Sequence, residues 1–254
     1  MFLPALERVA PARAPERMDA RDCDPDALAA ALRTLARASR SFGGTRPVWR
    51  GVRRALAGRE PGPLRLLDVG TGGGDLPRRL FPRLRALGWR PELLLADLHP
   101  AALALARDWT TDWARRANGA RAGGLRCAFL RTSAPCLPLA DASVDLVVST
   151  TMLHHLECEE AVAFLREVNR VARLGWVLAD LRRSRLTAAA VRLLAETLWR
   201  RNPFPRVDGP VSVRRAFRPS ELRDLARHAG VGPVRVGGSG PFHLFVAGGM
   251  SCRT

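Results

Sequence analysis

Between Leu66 and Leu76 the chain reads Leu-Leu-Asp-Val-Gly-Thr-Gly-Gly-Gly-Asp-Leu, an apolar run that breaks into four glycines within five residues. A strand running into so bare a turn, with a helix after it, lets a ligand approach the backbone and meet the unpaired N–H groups of the helix start. A nucleotide-like ligand is implied. The dinucleotide spacing G-x-G-x-x-G fails, because its last position falls on Asp75 or Pro77. The spacing that fits is acid-x-Gly-x-Gly-x-Gly: Asp68, Gly70, Gly72 and Gly74, with Thr71 and Gly73 between. An acid two residues before the first glycine repels a phosphate and suits a ligand that carries positive charge. A second acid, Asp97, ends the next apolar run, Glu92 to Leu98, and two adjacent imidazoles, His154 and His155, follow the run Val144 to Thr150. The sequence contains no Lys and no Tyr, which excludes Schiff-base chemistry, a Walker lysine and phenolic acid or base roles.

These residues need a scaffold, and the pattern from Leu64 onward supplies one: short apolar runs alternate with stretches of helical period, as in a parallel α/β sheet. Strands are expected at 64–70, 92–98, 126–131, 144–150 and 175–181. Helices are expected between them, and again over 187–201 and from Pro219 to Gly230. Two terminal runs, 232–238 and 242–249, complete a seven-stranded, mostly parallel Rossmann-like sheet with helices on both faces. Ahead of it, residues 1 to about 23 read as a loose arm. A helix starts at the Asp24-Pro25 cap and stops near Gly43-Gly44, and a second spans Pro47 to Gly58. The expected organisation is an N-terminal arm and helical cap over 1–60 and a main domain over 61–254, within which 181–218 is a substrate-cap insertion. Asn202 to Arg218 reads as irregular, and Asn202-Pro-Phe-Pro as a turn.

The 254 residues, 47% of them apolar, suit one globular core with additions. The N-terminus carries acids and prolines where a secretory signal needs an apolar run, so a cytoplasmic protein is expected. The net charge of +17 points towards nucleic acid. However, every one of the 41 basic residues is Arg, and Lys, Tyr and Ile are all missing. That pattern is codon bias, so the charge is discounted as a pointer to partners. The five cysteines contain no C-x-x-C pair, so neither a zinc site nor a disulfide framework is expected, and no metal is assigned.

With these motifs in this order, the sequence resembles the class I S-adenosylmethionine-dependent methyltransferases, in their small-molecule, quinone-biosynthesis-like branch. The resemblance covers residues 64 to 180. It implies S-adenosyl-L-methionine as cofactor, held by Asp68, Gly70, Thr71, Gly72, Gly74, Asp97, Leu98, Ser133, Ala134 and Thr150, with Asp97 taking both ribose hydroxyls. Where many relatives carry Gly-Asp-Ala to grip adenine, this chain has Thr132-Ser133-Ala134. Ser133 accepts that bond without charge, which implies weaker cofactor affinity.

In this fold His154 and His155 follow strand four at the edge where ligands bind, so they are the candidate bases for a hydroxyl acceptor, with His155 marginally preferred. Asp180, Arg182, Arg183 and Arg185 lie along the same edge. Helices of 24–60 together with 186–218, including Trp199, Phe204 and Phe217, are expected to close over an apolar phenol, polyketide or quinol, with O-methylation favoured over C-methylation. Two alternatives stand beside this: an RNA methyltransferase, and a non-catalytic partner subunit that keeps the fold. The Asn/Asp-Pro-Pro-aromatic tetrad of nucleobase amino-methylating enzymes is missing after strand four, where Ser-Thr-Thr-Met-Leu-His-His-Leu stands instead.

Overall fold

A computed structural model describes residues 6–20, 22–116 and 125–249. Of the cysteines, Cys252 lies outside these residues, as do residues 1–5 and 21 of the N-terminal arm. Seven strands, β1 (Pro63–Val69), β2 (Arg90–Asp97), β3 (Arg126–Arg131), β4 (Val144–Thr150), β5 (Ala172–Leu181), β6 (Arg235–Ser239) and β7 (His243–Gly248), form one sheet in the order β3-β2-β1-β4-β5-β7-β6. The first five run parallel, and β7 joins β5 and β6 antiparallel.

Buried on both faces, the central strands read as apolar runs. In β1, Leu64 and Leu66 join the core beneath helices α2 (Arg46–Leu56) and α3 (Asp75–Ala86). Leu67 and Val69 point the other way, into the core beneath α5 (Cys158–Val171) and α8 (Pro219–Ala229). Helix α2 lies directly on the sheet: a Cβ on Gly51 would come within 2.4 Å of the Val177 side chain. Helix α1 (Pro25–Phe42) starts on the Asp24 cap, whose carboxylate accepts the Asp26 N–H, and ends on left-handed Gly43, as its sequence signals require. Helix α4 (Pro100–Arg116) follows β2, and α6 (Arg185–Glu196) follows β5.

Strand β5 begins at Ala172, directly on the end of α5. A bulge lies between Val144 and Leu146 in its pairing with β4, with Gly175 opposite Leu146 and Arg173 paired to Asp145.

Two stretches differ from expectation. Residues Pro203–Arg215, expected to be irregular, form helix α7. Pro203 and Pro205 occupy its first turn, where no N–H is needed. Pro210 inside it is tolerated because tertiary contacts hold the helix: Val213 is fully buried, and a Cβ on Gly209 would meet Trp199 at 2.9 Å.

The arm is not loose. Val9 N–H donates to Arg214 O, Arg8 reaches Leu156 O and Arg215 O, and Asp208 of α7 accepts the Arg17 and Met18 N–H groups. Each end of this segment is thereby tied to α7 or to the loop after β4, and Glu16 is carried into the interior.

Candidate active site

The carboxyl ends of β1, β2 and β4 open into one cavity of about 520 Å³, the size of a small-molecule site. At its floor the turn after β1 holds Gly70 at φ +70° and Gly72 at φ +51°, backbone that L side chains rarely adopt. A Cβ on Gly70 would also lie 2.4 Å from Met152. Thr71, Gly72 and Gly73 line the wall, whereas Gly74 sits just behind it at the start of α3.

Asp97 faces the turn. Its Oδ2 accepts the Gly72 N–H at 2.8 Å and its Oδ1 the His99 N–H at 2.9 Å, which leaves one lone pair on each oxygen for a ligand. Burial raises its pKa. Leu98 is exposed into the cavity beside Ser133 and Ala134, and Thr150 stands at the end of β4. A carboxylate with two free acceptor positions, a bare loop and an apolar shelf fit the ribose, the amino-acid tail and the adenine of S-adenosylmethionine respectively.

Asp68 is deeper than its motif suggests. It is 2% exposed and stands behind the wall; its Oδ2 accepts the Thr71 hydroxyl at 2.6 Å, while its buried Oδ1 has no partner. Burial, with some help from Asp97 and Asp75, pushes its pKa up to about 7 against the Thr71 bond. The folded chain thus holds this proton more tightly than the unfolded one, and the resulting stabilisation fades as pH rises from about 4 through 7. Asp68→Asn is therefore expected to raise the melting temperature of the cofactor-free protein at pH 8 and to lose that advantage by pH 5, with an upper bound of about 4 kcal/mol. A lower melting temperature at pH 8 would show that Asp68 is already compensated.

The two histidines follow β4 in a short 3-10 turn, Leu153–His155. His154 is buried, and its Nδ1 lies 2.7 Å from Asp180 Oδ1; Asp180 also accepts the His154 N–H at 2.9 Å. Burial alone would raise the Asp180 pKa, but His154 and the N–H groups around the carboxyl hold it low. An ionised carboxylate can only accept, so His154 Nδ1 carries hydrogen and its Nε2 faces the arm.

His155 repeats the pattern on Asp19, Nδ1 to Oδ2 at 2.9 Å. Burial opposes charge on this ring, but Asp19 and Glu16 outweigh it and raise its pKa to about 9. Here the ring is a hydrogen-bond donor at neutral pH, whereas the sequence favoured it as a base. Between the rings stands Glu16, with Oε1 3.6 Å from His154 Nε2 and Oε2 3.9 Å from His155 Nε2. Arg215, 2% exposed, pairs with Glu16 Oε1 at 3.0 Å and donates through Nε to His154 O, while Ser212 donates to the same carboxylate oxygen.

Sequence reasoning identified the imidazoles and Asp180. It missed Glu16, Asp19 and Arg215, for which no motif or period gave a signal.

The cavity also has an apolar wall, formed by Leu32, Leu35 and Phe42 of α1, Val191 and Leu194 of α6, and Trp199. Of the three aromatic residues expected there, Trp199 is on the wall. Phe204 is not among the lining residues, and Phe217 is buried in the main core under Arg8. Arg183 is buried as a clamp on Ala216 O and Glu221.

Comparison with known proteins agrees with this geometry. Residues 66–175 match the family model described as a methyltransferase domain. A ubiquinone biosynthesis O-methyltransferase of Ruegeria pomeroyi is 29% identical over 186 residues, 72% of this chain and 64% of that protein. A malonyl-[acyl-carrier protein] O-methyltransferase of Laribacter hongkongensis is 38% identical over 120 residues, 46% of this chain and 36% of that protein. The chain thus spans less than two thirds of the length of these relatives. Among solved structures, an S-adenosylmethionine-dependent methyltransferase from Aquifex aeolicus superposes with TM-score 0.57 at 19% identity, covering 89% of this chain and 98% of that one. Residues 66–175 are thus similar to a methyltransferase domain, and the sheet that contains them has the fold of the solved S-adenosylmethionine-dependent methyltransferase.

Proposed function

We propose that the protein transfers the methyl group of S-adenosylmethionine to a hydroxyl of a small apolar acceptor, a phenol, polyketide or quinol. One observation carries this reading: a single cavity is lined by the Gly70–Gly73 turn and Asp97, by His154 and His155, and by apolar side chains of α1 and α6 and Trp199. When bound, the donor supplies a methyl group on a sulfonium; the acceptor oxygen forms the new C–O bond, the C–S pair stays on sulfur, and the hydroxyl proton leaves to solvent. The chain's residues align the partners, which is worth up to about 7–11 kcal/mol in favourable cases.

Asp97 holds the ribose and the bare turn admits the amino-acid tail. The apolar wall of α1, α6 and Trp199 excludes water and orients the ring of the acceptor. The hydroxyl is activated at His154, whose orientation Asp180 fixes, beside His155, which Asp19 holds as a donor.

Among the described residues no helix is long and apolar enough to cross a membrane. We place the reaction in the cytoplasm, where exposed thiols such as Cys136 and Cys158 stay reduced.

The test is transfer of labelled methyl from the donor to a panel of phenols and quinols, with products resolved by NMR. A methoxy product is expected. Donor binding without transfer to any acceptor would favour a silent partner subunit, and salt-sensitive binding of RNA with methyl incorporation would favour the nucleic-acid reading. Trp199→Leu is expected to raise the acceptor KM by about tenfold at unchanged donor affinity. An unchanged KM would remove Trp199 from the acceptor wall.

A further inference from the structure

We propose that Glu16, His154 and His155 form a binding site for a divalent first-row transition ion of the zinc type. The inference rests on the methyltransferase reading only for its consequence, activation of the acceptor; the site itself stands on the arrangement of donors.

Three ligand atoms, one from each residue, lie within 4.8 Å of one another, with Glu16 oxygens 3.6 and 3.9 Å from the two Nε2 atoms. A tetrahedral ion with bonds of about 2.0–2.2 Å needs its ligands about 3.3–3.6 Å apart, so the cluster is slightly open and closes by small side-chain rotations. The supporting contacts are those of a metal centre. A metal-ligating histidine almost always donates its other ring N–H to a carboxylate or carbonyl, and both rings do so here, His154 to Asp180 and His155 to Asp19. The carboxylate is also held: Arg215 and Ser212 fix Glu16 Oε1, leaving Oε2 towards His155.

The charge count agrees. Glu16, Asp19 and Asp180 bring three carboxylates against one guanidinium, Arg215, and a divalent ion that displaces the His155 ring proton offsets the remaining difference. Glu16 comes from an arm that hydrogen bonds of Arg8, Arg17 and Met18 pin to α7 and the loop after β4, and its side chain is 2% exposed. Arg215 and Ser212 take up only Oε1, so Oε2 keeps its lone pairs for a ligand. The expectation of no metal rested on cysteine spacing, and this site contains no cysteine.

All three residues line the cavity, so a fourth coordination position would open into it, as in catalytic zinc sites with two histidines and one glutamate. Bound there, the ion would polarise an acceptor hydroxyl and lower its pKa.

The test uses the full-length chain, stripped with chelator, dialysed and titrated with Co2+. One Co2+ per chain is expected, with a visible ligand-field band and no thiolate charge-transfer band. Glu16→Gln and Asp180→Asn are each expected to weaken Co2+ binding by about 10–100-fold. His155→Ala, at a side chain only 25% exposed, is expected to weaken it at least as much. Cys23→Ser and Cys158→Ser should change nothing, and donor calorimetry on each variant reports whether it is folded. No stoichiometric Co2+ binding, binding indifferent to His155→Ala in folded protein, or binding lost with either cysteine would overturn the site. Methyl transfer without Co2+ binding overturns the metal and keeps the methyltransferase reading; Co2+ binding without transfer to any acceptor does the reverse.

Discussion

Replacing His154 by alanine is expected to lower turnover about 10²–10⁴-fold, the usual span for a lost proton-handling group, while donor affinity stays nearly unchanged. The split follows from position. His154 meets Asp180 and Glu16, and its hydrogen bonds do not involve Gly70–Gly73 or Asp97, where the donor is proposed to bind. The substitution also leaves Asp180, 1% exposed, without its ring partner. Breaking a buried pair in this way costs about 3–5 kcal/mol, so the assay belongs at low temperature, with donor calorimetry as the measure of folded protein. Asp180→Asn supplies a milder control: it keeps the shape but removes the charge that sets the ring's tautomer, and turnover should fall at least tenfold with the same donor affinity. Loss of donor affinity in step with turnover would mean that His154 supports the fold and not the chemistry.

Asp97→Ala should show the opposite split. Each of its oxygens already accepts a backbone N–H, from Gly72 and from His99, and each keeps one acceptor position for a ribose hydroxyl. A hydrogen bond to a charged group is worth about 1.5–3 kcal/mol, so losing two costs about 3–6 kcal/mol, or 10²–10⁴-fold in donor affinity. The Gly72 N–H also loses its partner, which loosens the turn and adds to the loss. Asp97→Asn, which keeps one acceptor, should fall between. A change under tenfold for Asp97→Ala, measured by calorimetry, would move the ribose elsewhere.

Much of the frame that carries these residues is legible in the sequence, because strands buried on both faces have little choice of composition. The run Val144–Thr150 is the buried strand β4, while the edge strand β3, Arg126–Arg131, is exposed along much of its length and shows instead by its short apolar run between arginines. The caps at Asp24 and Gly43 bound α1 for equally local reasons. Where local signals compete with tertiary packing, the sequence misleads. Three prolines in Pro203–Arg215 announce a turn, yet Trp199 against Gly209 holds a helix there.

The site shows the same division. Spacing reveals that Asp68 precedes a bare turn, but not that Thr71 screens it from the cavity. Glu16 has no motif, because what buries it is Arg215, far along the chain and indistinguishable by type among 41 arginines.

The central claim is that the bare Gly70–Gly73 turn, with Asp97 facing it from the end of β2, selects an adenosyl donor with no phosphate over a pyrophosphate. Calorimetric titration of the purified chain with S-adenosylmethionine and, separately, with NAD+ tests it most directly. Saturable one-to-one binding of the sulfonium and none of the dinucleotide at the same concentrations is the predicted result. A dinucleotide that binds as tightly as the sulfonium, or a chain that ignores both, would contradict it.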